Sequence, residues 1–571
     1  MRRARVRRTA RWRYSGAVGL IAPTPTPYDP LEWDTLPLPE KLKWVCRAWV
    51  VQGYGTPPAI YGAYLLKIAA YAGGWVFFCG LSPSLGSLSE LSSWWAHPVA
   101  FEKAILWSLL FEVLGLGCGS GPLTGRYMPP IGGVLYWLRP GTTKLAPWPS
   151  LPLTGGHRRT WVDVMLYAGL LGVVVHALAS ADPRFESWVL VIVVMGLLGL
   201  RDKTIFLAAR SEHYVVAAVC FAFSPAPLAG VMGIQAALWF FAGVSKLNHH
   251  FPTVVSVMTS NSPTSRSVWF RKRMVRGYPD DLRPSGLATA ASHFGTLLEF
   301  SVPIVLLLGD GGTVTLVGLV LMVALHAFIT SNIPMGVPLE WNVMVVYSGF
   351  VLFGAHDLHL VDVGWPVGVF LLVTMVGIPV VGNLWPTRVS FLLSMRYYAG
   401  NWPCSVWLFR DEAWKKLDRL TKTSPWVFDQ LDGTYDRGTA IGLVGKVIAF
   451  RAMHLHGRSL PTLVPKALEG AGDFGRFTWL DGEIVAGLAL GWNFGDGHLH
   501  NERLAQALQA QCGFEPGEVR CVFLESQPLH RQSLDYRLYD VASGELDRGT
   551  LSVAELRGLQ PWDPMQTPTH G

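Results

Sequence analysis

The chain has 571 residues, half of them apolar and only 15% charged, with 24 tryptophans. Soluble domains carry about a quarter charged residues, so this composition excludes an ordinary soluble enzyme and points to a protein solvated largely by lipid. The net charge of +7 sits in a few loops without interleaved aromatics, which excludes a nucleic-acid-binding surface.

The first residues, Met1 to Arg13, are Arg-rich and precede an apolar run at 16–22. That run is too short to span and makes a poor signal peptide, which leaves the amino terminus on the cytoplasmic side. The Thr-Pro pairs at 23–27 predict an extended linker. Residues 30–58 mix Trp33, Trp44 and Trp49 with Lys41, Lys43 and Arg47, the pattern of an interfacial stretch. Residues 1–58 are therefore a basic segment followed by an interfacial one.

Apolar runs of about 17–23 residues, enough to cross about 30 Å of hydrocarbon, then recur. Candidate spans lie near 60–81, 98–117, 160–180, 186–200, 212–224, 228–247, 286–308, 312–330, 338–354 and 365–384, with the 212–224 and 338–354 segments short. The second carries Glu102, Lys103 and Glu112, so it faces protein or the interface rather than lipid. Placing the basic loops (Arg201, Lys203 and Arg210; Arg266, Arg271, Lys272, Arg273 and Arg276) inside gives ten spans with both termini cytoplasmic. Residues 59–385 form this bundle. Residues 386–470 connect it onward, and 440–468 lie in the membrane plane or re-enter it.

From 471 to 571 the pattern is soluble, with strands expected at 483–490, 519–525 and 535–540. A helix follows Asn501 to Gln511, with Asn501 as N-cap and Gly513 just past its end. The fold class expected is thus an all-α polytopic membrane helical bundle of about ten spans with a small C-terminal α+β domain. The seven cysteines show no Cys-x-x-Cys pair and no disulfide framework.

Function is sought where polarity is costly. An ionisable side chain inside a span costs about 2.5–3.5 kcal/mol on insertion scales. Lys246 ends a long apolar segment, where it either snorkels to the membrane edge or faces the protein interior. At about 100° per residue, Gln235, Trp239, Ala242 and Lys246 fall on one stripe, which favours the interior. Glu299 sits mid-span on the face of Ser292; a buried carboxylate there pairs with a base or takes up a proton. His213 opens one neighbouring span, His326 lies late in another and is followed by Asn332, and Asn342 lies in the next. A membrane histidine is often a satisfied packing residue, but these groups together predict a polar pocket. In it Lys246 acts as a general base or charge partner.

The order of these residues resembles the vitamin-K-dependent γ-carboxylase group, the superfamily of horizontally transferred transmembrane domains, over roughly residues 160–355. Arg201-Asp202-Lys203 and Glu212-His213-Tyr214 are similar to that family's Asp-Lys and Asn-His-Ser-Tyr stretches. The run from Trp239 through Ala242-Gly243-Val244-Ser245-Lys246-Leu247-Asn248 resembles its Tyr-Phe-Ile-Ala-Gly-Val-Lys-Lys-Leu-Asp segment, with Ser245 and Asn248 as departures. Leu297-Leu298-Glu299 resembles its Leu-Ile-Asp, and His326 to Asn332 its His-x-x-Asn.

The resemblance implies a helical bundle that oxidises a reduced quinone with oxygen. The strong base so formed abstracts a proton from substrate and adds carbon dioxide, with Lys246 at the position of the proposed catalytic base. His213, Glu299 and His326 would tune that lysine. Gln235, Trp239, Asn248, Asn332 and Asn342 would contact a lipid-soluble substrate. The alternative is a non-catalytic lipid-binding or chaperone-like multi-pass protein. In the tail, His498 and His500 point to one side if extended, but a Gly-rich turn feeding the Asn501 cap explains the run better, and no metal is assigned. Glu525, Tyr536 and Arg537 are expected on a solvated sheet face. Partners of the tail leave no signature.

Overall fold

The structure is a computed structural model and describes residues 20–117, 132–262, 265, 267–332, 339–396, 399–494 and 496–566. Among these residues six helices are long and apolar enough to cross a membrane: Pro58–Cys79, Trp161–Ala179, Pro227–Ser245, Gly286–Leu307, Thr313–Thr330 and Trp365–Leu384. Proline in the first turn starts Pro58–Cys79 and Pro227–Ser245, where its missing N–H is no loss.

The four remaining expected spans form shorter helices, so the count of about ten is not reached on length. They are Pro98–Val113, Phe185–Arg201, Tyr214–Phe223 and Leu339–Ala355. At 1.5 Å per residue, a helix of 16 residues reaches about 24 Å, short of the hydrocarbon thickness. Pro98–Val113 faces protein, and both Lys103 and Glu112 are buried. The Lys103 ammonium donates to the carbonyls of Phe78 (2.7 Å) and Leu178 (3.0 Å), capping two neighbouring helices.

Helices Pro30–Asp34 and Leu38–Gln52 pack against helix Arg437–Met453, burying Trp33 and Trp49. Arg437–Met453 and the segment His456–Ala467 are bent through 99°, the shape of a broken span or re-entrant loop. Arg451 ties this elbow to the tail through Asp481 (2.6 Å) and Glu483 (2.9 Å).

The tail is built on a five-stranded antiparallel sheet of order β4-β3-β5-β6-β7. A separate hairpin pairs β1 (Val275–Gly277) with β2 (Asp281–Pro284). In the sheet, β3 is Cys404–Arg410, β4 Phe477–Asp481, β5 Val519–Leu524, β6 Ser533–Asp540 and β7 Gly544–Ser552. Because β3 lies inside the sheet, the boundary expected at residue 471 cuts through it. β3 is buried along nearly its whole length, and a continuous apolar run shows no alternation by which to recognise a strand.

The same ambiguity misplaces 483–490, which is not a strand but the helix Gly482–Leu490. Asp481 caps it by accepting from Glu483 N, and Gly491 at φ 76° ends it in the left-handed region. Helix Glu502–Cys512 has Asn501 as N-cap and Gly513 at φ 61° just beyond it. Six of the seven cysteines are described; all six are buried and free.

Candidate functional site

A cavity of about 50 Å³ lies among the central helices, several times the roughly 10–15 Å³ that one water requires on the same measure. Its wall brings together Gln235, Trp239, Glu299, His326 and Asn342 from four helices. Leu238, Ala242, Leu325, Ile329 and Val345 supply the apolar part. The stripe expected on Pro227–Ser245 therefore does face inward.

Lys246 is the C-cap residue of that helix and is buried, so it does not snorkel to water. Its ammonium bonds the Glu299 carboxylate on helix Gly286–Leu307. The Phe251 ring lies 5.0 Å from the same ammonium. Glu299 is on the cavity wall, whereas Lys246 approaches from behind it. The pair satisfies two charges whose separate burial would be prohibitive.

His326 has a defined protonation state. The Trp239 indole N–H, which can only donate, lies 3.0 Å from His326 Nε2. Nε2 must therefore accept, which leaves the proton on Nδ1 to be donated to Asn342 Oδ1 at 2.7 Å. The imidazole is neutral with both nitrogens engaged, and it can take a second proton only by breaking the tryptophan bond.

Gln235 differs from the other wall residues. It is fully buried, and neither its amide nitrogen nor its amide oxygen has a hydrogen-bond partner among the described residues. Such a group leaves about 1–3 kcal/mol of desolvation uncompensated unless water or a ligand meets it.

Two wall residues, Arg210 and Trp341, carried no signal recognised in the sequence. Arg210 counted as loop charge, yet the turn before helix Tyr214–Phe223 holds it at φ 53°, a strained region for a residue with a Cβ. Its guanidinium lies 4.7 Å from the Trp341 ring and 5.3 Å from Phe494 of the tail. Arg210 Nη1 is 3.4 Å from Glu212. The carboxylate two residues downstream of a basic loop arginine was the available clue.

His213 stands behind the wall rather than on it, stacked on Trp341 with centroids 5.2 Å apart and 13° between planes. Neither of its ring nitrogens has a hydrogen-bond partner among the described residues. Asn248 and Asn332 lie off the cavity. Asn248 bonds Ser245 O and accepts from His250 N at 2.7 Å, shaping its own turn. Asn332 Nδ2 donates to Phe328 O at 2.7 Å, one turn back on its own helix. A second charge pair went unforeseen one residue from Trp341, where Lys67 Nζ lies 3.0 Å from the buried Glu340.

In the tail, His498 and His500 do not face one side, because Gly497–Leu499 is a tight turn. His498 Nε2 lies 3.3 Å from Glu525, while His500 Nδ1 meets Ser405 Oγ at 2.6 Å. Burial pushes the His500 pKa down to about 4. Glu525 and Tyr536, expected on a solvated face, are buried, with Glu525 held by His498. Among the described residues no group of three or more His, Cys, Asp or Glu side chains is arranged to hold a metal ion.

Several membrane-crossing helices enclosing a polar cavity, with a sheet-built tail docked against them, define a multi-pass integral membrane protein. The chain belongs to the family described as transmembrane protein of unknown function (DUF3556), whose profile matches residues 18–570. No curated protein and no solved structure matches it.

Proposed function

We propose that this protein binds the polar head of a lipid-soluble molecule in the cavity and performs acid–base chemistry on it through the Lys246–Glu299 pair. The observation that carries the proposal is Gln235, whose buried amide offers an NH2 donor group and an acceptor oxygen to whatever enters. A planar head with carbonyl or hydroxyl oxygens, such as a reduced quinone, matches that amide and the neighbouring rings of Trp239 and Trp341. The resemblance to the γ-carboxylase group supports the same assignment, with Lys246 as base and a carboxylase- or quinone-oxidoreductase-like reaction. Lys246 acts as a base only after passing a proton to Glu299 or to the bound molecule.

A second reading, lipid binding without turnover, is favoured by His326, both of whose nitrogens are engaged within the protein. In either reading membrane lipids are the partners and both termini lie in the cytoplasm, where the basic loops are drawn.

The test is organic extraction of the detergent-purified protein and mass spectrometry of co-purifying lipids, comparing wild type with Gln235→Leu and Lys246→Met. A quinone or polyisoprenoid present in wild type and lost from Gln235→Leu is the expected result. Loss of ligand conversion with retained ligand in Lys246→Met would assign turnover to the pair. Bulk phospholipid alone, unchanged in both variants, would sink both readings.

A further inference from the structure

The short helix Val268–Arg273 has two unlike sides. Phe270 packs into a small core of Phe251, Val254, Val255, Met274 and Ala288, which fixes the helix beside the start of the span Gly286–Leu307. Trp269 instead is 62% exposed, and the Arg273 guanidinium lies 3.8 Å from its ring. Lys272 and Arg273 are exposed, as is Arg276 on the hairpin that follows.

These three cations have no carboxylate partner among the described residues. The hairpin's own acids are engaged elsewhere: Asp280 by Arg47 at 2.6 Å, and Asp281 by Arg283 and by Gln560. Lys272 rests 4.4 Å from the Tyr278 ring, and Arg276 Nε donates to Pro284 O at 3.2 Å. The residues outside the described set contain no Asp or Glu side chain.

Position specifies the occupant. The hairpin runs directly into the span: Ser285 N donates to Met274 O at 3.1 Å, and Ser285 Oγ caps the helix at Ala288 N. Leu287 and Phe294 are exposed on the outer face of that span. The cations thus stand at the membrane end of a transmembrane helix, beside an outward tryptophan, at the depth where headgroups lie.

We infer that Trp269, Lys272, Arg273 and Arg276 form a docking surface for the headgroup of an anionic phospholipid. The ring inserts at the level of the glycerol backbone, and the three cations meet the phosphodiester, whose negative charge no headgroup cation offsets. A lipid fits better than an acidic protein because Val268 and Trp269 expose apolar surface in the same short helix as the cations, and Leu287 at the start of the adjoining span is exposed as well.

The experiment is native mass spectrometry of the full chain in neutral detergent, titrated with short-chain phosphatidylglycerol, phosphatidylcholine or inorganic phosphate. Wild type is expected to bind phosphatidylglycerol more tightly than phosphatidylcholine, with binding weakened by salt. Each charge removed should lower affinity roughly fivefold. The variant K272Q/R273Q/R276Q should therefore lose about a hundredfold, while the exposed tail variant K415Q/R476Q/R548Q should lose nothing. The single variant R276Q and the salt titration of wild type keep the test open should the triple variant misfold. Equal affinity for the two lipids, equal loss in both triple variants, or displacement of phosphatidylglycerol by free phosphate at matched concentration would overturn the assignment. Displacement by an acidic peptide would do the same, and would make the surface a protein-docking one.

Discussion

Removing one member of the Lys246–Glu299 pair separates a buried pair from a snorkelling lysine. Lys246 is 6% and Glu299 4% exposed, and no other ion pair reaches either among the described residues. Truncating one partner of such a pair costs about 3–5 kcal/mol, because the remaining charge stays buried without compensation. Replacing both by apolar residues of similar size is about neutral, or stabilising by about 1–4 kcal/mol. Lys246→Met and Glu299→Leu should therefore each destabilise strongly, whereas the double variant should regain most of the loss. That gives a coupling energy of at least about 3 kcal/mol in a double-mutant cycle. Tryptophan fluorescence of the bundle during titration with a denaturing detergent measures it. An exposed pair would show coupling of only about 0–1 kcal/mol. Two mild single variants whose effects add would place Lys246 at the membrane surface and refute the buried-pair argument.

Gln235→Leu removes two unpartnered polar atoms, so delipidated protein should gain about 1–3 kcal/mol in the same titration; a loss would mean the amide is already satisfied. Trp239→Phe deletes one buried hydrogen bond, costing about 1 kcal/mol, and frees His326 Nε2, so the imidazole nitrogen resonances should shift. The tail should weaken in acid. His500 is buried and neutral, its pKa pushed down to about 4. An unfolded histidine takes its proton near 6.5, so the stabilisation is complete above that pH. It falls as pH drops from 6.5 toward 4, by about 3 kcal/mol from His500 alone. Unfolding at pH 7 and 4.5 checks this, and His500→Gln should flatten the slope. Arg451→Met leaves Asp481 and Glu483 unpaired at the elbow, costing about 3–5 kcal/mol; faster proteolysis between elbow and tail is the expected result.

Periodicity carried some elements of this chain and not others. The stripe Gln235, Trp239, Ala242, Lys246 was legible because helical geometry turns spacing into a common face, and the cap residues Asn501 and Gly513 were legible because their roles are local. Strand Cys404–Arg410 and helix Gly482–Leu490 were not. Both are buried nearly all round, so neither shows the alternation or stripe that separates the two periods. Arg210 was hidden differently. A positive charge in a loop looks the same whether it meets water or, through a left-handed turn, the ring of Trp341.

By itself the sequence determined that this is a multi-pass membrane protein, and that a lysine, a glutamate and a histidine stand where charge is expensive, because hydrocarbon thickness and insertion cost act on local stretches of chain. Which of these groups meet was decided only by tertiary packing. Lys246 and Glu299 are 53 residues apart, and Trp239 and His326 are 87. Contacts over such separations depend on how helices cross and where loops return the chain. Neither propensity nor spacing encodes that.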